Sequence, residues 1–168
     1  AAKYVVTGIS GTKTFNLAGL QASTVVFPNA YMKKKFDTFW SNMDIHRNNA
    51  FSLTAMEAAF TQGEEWLEQL LPYISANFDY VVDYLEKNIP QIKTYAPDAT
   101  YLMWLDCRAL GLDDEALNRF FIEKAKLGLN AGNSFGRSLS GYMRLNVACP
   151  RSVLEQAMGQ LKTAVDAL

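Results

Sequence analysis

The stretch "GYMRLNVACPRSVLEQA", residues 141–157, predicts a strand followed directly by a helix. Apolar and polar side chains alternate over residues 141–148, which is typical of a strand with one buried face. The apolar face comprises Met143, Leu145 and Val147, and the other face Tyr142, Arg144 and Asn146. Pro150 then precedes Ser152 and Glu155, whose spacing is that of a capping box at a helix start. The helix would turn Val153, Leu154, Ala157, Leu161 and Val165 inward.

Strands and helices alternate along the rest of the chain as well. Short β-branched runs predict buried strands, and apolar residues at helical spacing predict helices. A capping residue is expected at Ser52 and another at Asp113, and Pro72 would bend or restart the long helix. The predicted strands are 4–9, 24–27, 92–95 and 101–107, and the predicted helices are 29–43, one from 52, 67–85 and one from 113. This order predicts an α/β or α+β module.

Composition excludes several classes of function. The 168 residues carry 16 basic and 17 acidic side chains, a formal net charge of -1, so no nucleic acid or anionic membrane partner is expected. No run of 18 apolar residues and no signal-like leader occurs. Cys107 and Cys149 are too far apart for a C-x-x-C motif and predict a reduced, cytoplasmic protein.

The histidine, the two cysteines and the glycine-rich segment of this sequence do not indicate a catalytic site. His46 is the single histidine, so a Ser-His-Asp triad or a multi-histidine metal site is not expected, and we interpret His46 as a loop residue. Both cysteines adjoin apolar strands, where cysteine behaves as a small hydrophobe, and they are assigned no role. The segment "GLNAGNSFG", residues 128–136, is interpreted as a turn-rich loop.

Lys13 lies in "SGTKTFNLAGLQ", residues 10–21, where a predicted strand ends. A solvated surface lysine is one interpretation. The other is a ligand site, because ligands bind at strand ends in open α/β sheets and Ser10 and Thr12 can donate to a phosphate. An amine beside a phosphate site suggests covalent chemistry with pyridoxal phosphate (PLP).

Arg144 is the other informative charge. On its own, it could be an arginine facing solvent on an edge strand. Alternatively it could hold an anion, because a guanidinium binds a carboxylate through two parallel hydrogen bonds.

Four segments together resemble one known family. "SGTKTFNLAGLQAS", "GEEWLEQLLPYI", "TYLMWLDCRALGL" and "GYMRLNVACPRSVLEQA" are similar, in this order, to the C-terminal part of PLP-dependent enzymes of aspartate aminotransferase fold (fold type I). Within that superfamily they most resemble bacterial carbon–sulfur lyases of cystathionine β-lyase type. The resemblance implies an α/β fold consisting of the end of the large domain, residues 1–62, and the interdomain helix and small domain, residues 63–168.

The resemblance also implies roles for individual residues. Lys13 matches the Schiff-base lysine that later moves the substrate Cα proton. Ser10 and Thr12 match hydroxyl positions around the cofactor phosphate, and Arg144 matches the arginine that binds the substrate α-carboxylate. Loop 44–52 resembles the segment that reaches the partner subunit in family homodimers.

Two departures from the family pattern bear on function. Many aminotransferases of this fold carry an arginine eight residues after the lysine, where this chain has Gln21, which favours the lyase branch. Family chains are also more than twice as long, so the chain is expected to be a fragment that is inactive alone. The implied activity of the parent protein is β-elimination of a sulfur amino acid. Transamination is the enzymatic alternative, and a regulatory protein-binding module on the same fold is the alternative of another class.

Overall fold

The structure, a computed structural model, describes residues 2–45 and 49–168. The chain forms two compact units, Ala1–Leu70 and Leu71–Leu168. His46 and the centre of the predicted partner-facing loop 44–52 lie outside the described residues. None of the helices in the described ranges is long and apolar enough to span a lipid bilayer.

In its described residues, the first unit contains two short strands, two complete α-helices and the start of a third helix at Glu64. Strands β1 (Thr7–Ile9) and β2 (Thr24–Val26) pair antiparallel, and all of their residues are exposed. Both predicted strands form, although the first is shorter than the predicted 4–9 because Tyr4 belongs to a 3-10 turn, Ala2–Tyr4. The prediction that they are buried is wrong for this chain. A two-stranded ribbon has no second layer of its own, so an apolar pattern alone cannot bury it.

Helix α1 (Ala30–Asn42) begins where the sequence predicts a helix. Asn29 caps it by accepting a hydrogen bond from the Met32 N–H at 2.9 Å. The lysines at 33–35 are exposed, as predicted, and Lys33 pairs with Asp37 at 2.6 Å.

Helices α2 (Ser52–Gln62) and α3 (Glu64–Asn88) follow. Ser52 is not the cap of α2: Phe51 occupies that position, and the buried Ser52 hydroxyl donates instead to the Leu20 carbonyl at 2.7 Å. Helix α3 continues through Pro72 without restarting.

The second unit is built on a three-stranded antiparallel sheet of order β3-β5-β4. The strands are β3 (Leu102–Asp106), β4 (Asn130–Ala131) and β5 (Tyr142–Asn146). Residues 92–95 contribute one isolated bridge, Lys93 to Asp106, rather than the predicted strand. The buried sheet residues are Met103, Leu105, Met143 and Leu145, each at most 4% exposed, and this confirms the predicted faces of β5.

Helices α4 (Asp114–Arg119) and α5 (Arg151–Asp166) complete this unit. Asp113 caps α4 as predicted, accepting from the Ala116 N–H at 2.8 Å, and a π-helical turn, Phe120–Lys124, extends the helix. The capping box predicted for α5 is wrong: Pro150 is the N-cap, and no side chain caps the helix. The predicted inward residues also need correction, because Val153 is 49% exposed and Val165 is half-buried. The buried residues of α5 are Leu154, Ala157, Met158, Leu161 and Ala164.

Candidate active site

Lys13 lies in the turn after β1, beside two hydroxyl side chains. The Ser10 hydroxyl donates to the Ala22 carbonyl at 2.9 Å and accepts from the Thr12 N–H at 3.2 Å. Ser10 Oγ and Thr12 Oγ1 are 2.9 Å apart. Since Ser10 has one proton and uses it at Ala22, Thr12 is the donor between the two hydroxyls. The structure therefore brings Ser10, Thr12 and Lys13 together in one turn.

The Lys13 side chain is exposed, which agrees with either interpretation of the sequence. Within the described part of the chain, its ammonium group has no ion-pair or hydrogen-bond partner. The backbone around it is ordered by hydrogen bonds from Phe15 N to Gly11 O at 2.9 Å and from Leu17 N to Thr12 O at 2.8 Å. The lysine is thus an unpaired amine on a hydrogen-bonded turn.

Phe15 anchors this turn to the helices of the same unit. Its ring meets Phe60 of α2 edge-on at 5.7 Å between centroids and lies 6.1 Å from Trp66 of α3. Two glycines make room for the ring: a Cβ at Gly63 would lie 2.6 Å from Phe15, and one at Gly11 would lie 3.1 Å from it. The position of Lys13 therefore depends on an aromatic contact two residues further along the chain.

Gln21, the residue that departs from the aminotransferase pattern, follows a short 3-10 turn, Ala18–Leu20. It adopts a left-handed conformation with φ of 51° and is exposed. The Gln21 amide can form hydrogen bonds, but unlike an arginine at this position it carries no charge.

Arg144 belongs to the second unit and lies on β5, the central strand of the sheet. The interpretation as an edge-strand arginine facing solvent is therefore wrong: Arg144 is half-buried between two neighbouring strands. Its cross-strand neighbours are Trp104 on β3 and Asn130 on β4. Neutral side chains flank it on both sides.

Three contacts define the Arg144 guanidinium. Nη2 donates to Asn130 Oδ1 at 2.8 Å, and Cζ lies 4.4 Å from the centroid of the Phe135 ring. Nε is buried and has no hydrogen-bond partner in the described structure. An unsatisfied buried donor is costly, so this edge of the guanidinium is suited to an acceptor from a ligand.

The loop before β5 is held by Asp114. Its carboxylate accepts from the Gly141 N–H at 2.9 Å and from the Ser140 hydroxyl at 3.0 Å. The Gly141 N–H is the main cause that lowers the pKa of Asp114 below its ordinary value of 3.8. Gly132, at the other end of the loop, is tightly enclosed: a Cβ there would lie 2.3 Å from the Leu139 carbonyl oxygen.

Arg108 follows the end of β3 by two residues, and its hydrogen-bond partner differs from that of Arg144. It donates twice to Asp106, from Nε at 2.8 Å and from Nη2 at 2.7 Å. These hydrogen bonds hold the pKa of Asp106 below 3.8 and raise the pKa of Arg108. Arg108 is therefore neutralised by a carboxylate of its own chain.

The cysteines lie outside these two clusters. Burial raises the pKa of Cys107 to about 12, and it also raises the pKa of the half-buried Cys149. Both thiols are protonated at neutral pH, which does not favour nucleophilic chemistry.

Sequence reasoning missed Asn130, Phe135 and Asp114. The first two lie in "GLNAGNSFG", residues 128–136. The loop interpretation is confirmed only in part, because Asn130–Ala131 form strand β4 and a 3-10 turn, Gly132–Phe135, follows it. An asparagine and a phenylalanine near glycines are not a specific signal. Their link to Arg144 depends on the β4–β5 register, which the local pattern does not encode.

Known proteins resemble this chain along nearly its whole length. No family model matches it. Cystathionine beta-lyase PatB of Bacillus subtilis (strain 168) is 38% identical over 160 residues, covering 95% of this chain and 41% of that protein. Cystalysin from Treponema denticola, whose crystal structure contains pyridoxal 5'-phosphate, matches with a TM-score of 0.94 and 30% identity over 99% of this chain and 42% of that one.

A PLP-bound protein of aminotransferase type from Clostridium difficile 630 matches with a TM-score of 0.92 and 48% identity, over 97% of this chain and 42% of that one. These matches and the fold define the chain as a homologue of part of the PLP-dependent enzymes of aspartate aminotransferase fold. Its relatives include carbon–sulfur lyases of cystathionine β-lyase type. The chain spans about two fifths of the length of the curated relatives it matches, 41% for PatB.

Proposed function

We propose that the polypeptide carrying this chain is a PLP-dependent lyase that removes the sulfur substituent of an amino acid such as cystathionine or cysteine. With one water consumed in the final hydrolysis, the products would be a thiol, pyruvate and ammonia. The observation that carries this proposal is the turn after β1, where an unpaired lysine adjoins two hydroxyls, in a chain 38% identical to a cystathionine beta-lyase.

The residues present fit PLP. Ser10 and Thr12 supply hydroxyl donors that rotate about a single bond and can be redirected to phosphate oxygens. Gly11, between them in sequence, is buried, and its lack of a side chain lets the turn pack against Phe15 and Phe60 while Lys13 stays exposed. When bound, PLP supplies an electron sink that stabilises negative charge on the substrate Cα.

Lys13 has two roles in this proposal. Its amine would hold the cofactor, and when free it would accept the proton from the substrate Cα. Loss of the substituent from Cβ follows removal of that proton.

Arg144 would bind the α-carboxylate of the substrate. Its buried Nε has no partner, and a carboxylate with two oxygens can satisfy it together with a terminal nitrogen. Fixing the carboxylate restricts rotation of the substrate.

Transamination is the second candidate, because the C. difficile relative is of aminotransferase type and the same four residues serve both reactions. Gln21 favours the lyase. The test uses the full-length polypeptide, loaded with PLP and given cystathionine without a keto-acid acceptor. Stoichiometric pyruvate and thiol support the lyase, whereas turnover that requires an acceptor supports the aminotransferase.

Two variants test whether the turnover depends on Lys13. K13A is expected to lower turnover by about a thousandfold or more, because both of its roles are lost. K34A, at an exposed lysine of α1, is the matched control and should retain full turnover. The 168-residue chain alone, given PLP, is expected to show no turnover.

We further propose a cytoplasmic homodimer with a small amino-acid substrate and without nucleic acid or membrane partners. Large side chains on and near α1 and α2 are exposed in this chain, among them Tyr31 (67%), Phe39 (60%) and Phe51 (72%). Sedimentation of the full-length protein tests the dimer, and a monomer at micromolar concentration would contradict it. Cell fractionation tests the location.

A further inference from the structure

We propose that Asn130 and Phe135 are positioning residues for Arg144: they orient its guanidinium without neutralising it, so that its buried and unpaired Nε–H is kept as a donor for a ligand carboxylate. This inference rests on the proposed function of Arg144. It adds two residues, neither of them charged, to the carboxylate site.

The sheet register places these groups together. Arg144 on β5 lies opposite Asn130 on β4 and opposite Trp104 on β3. Directly opposed residues on neighbouring strands have their Cβ atoms about 5 Å apart, so both neighbours can reach the guanidinium. Asn130 does so through a 2.8 Å hydrogen bond from Nη2.

Phe135 lies against the guanidinium of Arg144. Arg144 Cζ lies 4.4 Å from its ring centroid, and the ring is in turn supported edge-on by Trp104 at 5.5 Å and 83°. A cation over an aromatic face is attracted by the ring quadrupole and keeps its full charge. The ring and the Asn130 amide thus give the guanidinium two separate contacts, which together restrict its movement.

Arg108 of the same unit shows what a structural arginine looks like in this fold. Its Nε and Nη2 both donate to Asp106, so no donor on that edge is left for a ligand and its charge is compensated. Arg144 has a neutral amide where Arg108 has a carboxylate, and its Nε has no partner in the described structure. The difference is chemical as well as geometric, because a carboxylate at position 130 would compete with the substrate.

The key variant is therefore N130D, which converts the Arg144 environment into that of Arg108 at almost constant shape. In the full-length, PLP-loaded polypeptide, we expect KM for the amino-acid substrate to rise at least about tenfold, with kcat changed less than about twofold. N130A removes orientation but adds no competitor, so its KM should rise only about threefold. F135L should raise KM about fivefold, and F135Y, which retains the aromatic face, should restore it.

A binding measurement separates this effect from activity. Propionate has a carboxylate but no amine, so its affinity reports the Arg144 site alone, and NMR of the Arg144 Nε–H group follows it directly. The expected order of affinity is wild type, then N130A, then N130D, with R144A showing no site-specific binding. N88D, at an exposed asparagine that bonds within α3, and Y95L, at a 75% exposed ring, are the matched controls and should bind as wild type does.

The outcomes are distinct. If R144A weakens propionate but N130D and N130A are equal to each other, or F135L equals wild type, the positioning role is wrong and the proposed function stands. If R144A leaves propionate binding and KM unchanged, the carboxylate role of Arg144 is wrong, and the positioning role is overturned with it. Thermal melting of each variant identifies any that fail to fold, and N130A and F135Y then decide.

Discussion

The two units of this chain are built from similar elements but differ in burial. In the second unit, sheet and helices enclose an apolar core whose members run from Ile74 to Ala164. In the described residues of the first unit, only Gly11 and Ser52 are buried, and the apolar residues of both strands are exposed. An apolar pattern therefore indicates that a segment tends to be buried. It does not show that other residues of the same chain bury it.

The largest expected difference is in hydrogen exchange. Backbone amides in β5 and in α5 should exchange at least about a thousandfold more slowly than those in β1 and β2, because they open only when a closed core unfolds. Exchange of the purified 168-residue chain, followed by mass spectrometry, measures this ratio. Equal protection in β1 and β5 would contradict the comparison.

Removing one buried ring should have the next largest effect. Phe121 is fully buried, so F121A is expected to destabilise the second unit by about 3–5 kcal/mol. Phe51 is 72% exposed, so F51A should change stability by less than about 0.5 kcal/mol. Urea unfolding compares the two, and a large loss in F51A would show that its ring has a partner within the chain.

A smaller effect is expected where the first unit is packed most closely. In G63A the new Cβ would lie 2.4 Å from the Ala59 carbonyl oxygen and 2.6 Å from Phe15, so the ring that anchors the Lys13 turn must move. We expect a loss of about 1–3 kcal/mol and a change in the fluorescence of Trp66, which adjoins that ring. G19A is the control, since nothing lies within 4 Å of a Cβ there. Unchanged Trp66 emission in G63A would mean that Phe15 is not held as described.

The smallest predicted effect depends on pH. Because folding lowers the pKa of Asp114 below 3.8, its carboxylate stabilises the fold fully above about pH 4, and this is lost as the pH falls through the lowered value. The stability difference between wild type and D114N should thus be larger at pH 6 than at pH 2.5. D98N, at an exposed loop position, is the control. A difference that does not vary with pH would rule out this linkage.

Local signals predicted much of the fold and part of the site. The alternation in β5 and the Asp113 cap were predictable because each depends on residues a few positions apart. Ser52 was misassigned because its hydroxyl bonds to Leu20, 32 residues earlier, and no local pattern reveals that partner. Ser152 was misassigned because Pro150 already fixes the backbone entry into α5.

The same distinction applies to the candidate site. Lys13 and Arg144 enter the candidate site as predictions from strand ends, charge and family resemblance, and they stay predictions. Asn130 and Phe135 could not be predicted, since they reach Arg144 only through strand pairing across 14 residues and a ring contact. Neutral residues that orient a charged side chain have no specific local sequence pattern by which they could be recognised.

The most direct test of the central proposal is to locate the cofactor on the chain. The full-length polypeptide is incubated with PLP, reduced with borohydride, digested and mapped by mass spectrometry. We predict that the cofactor mass is found on Lys13 in the wild type and is absent from that peptide in K13A. Cofactor on a different lysine of an enzyme that turns over cystathionine, or no modified lysine at all, would contradict the proposal.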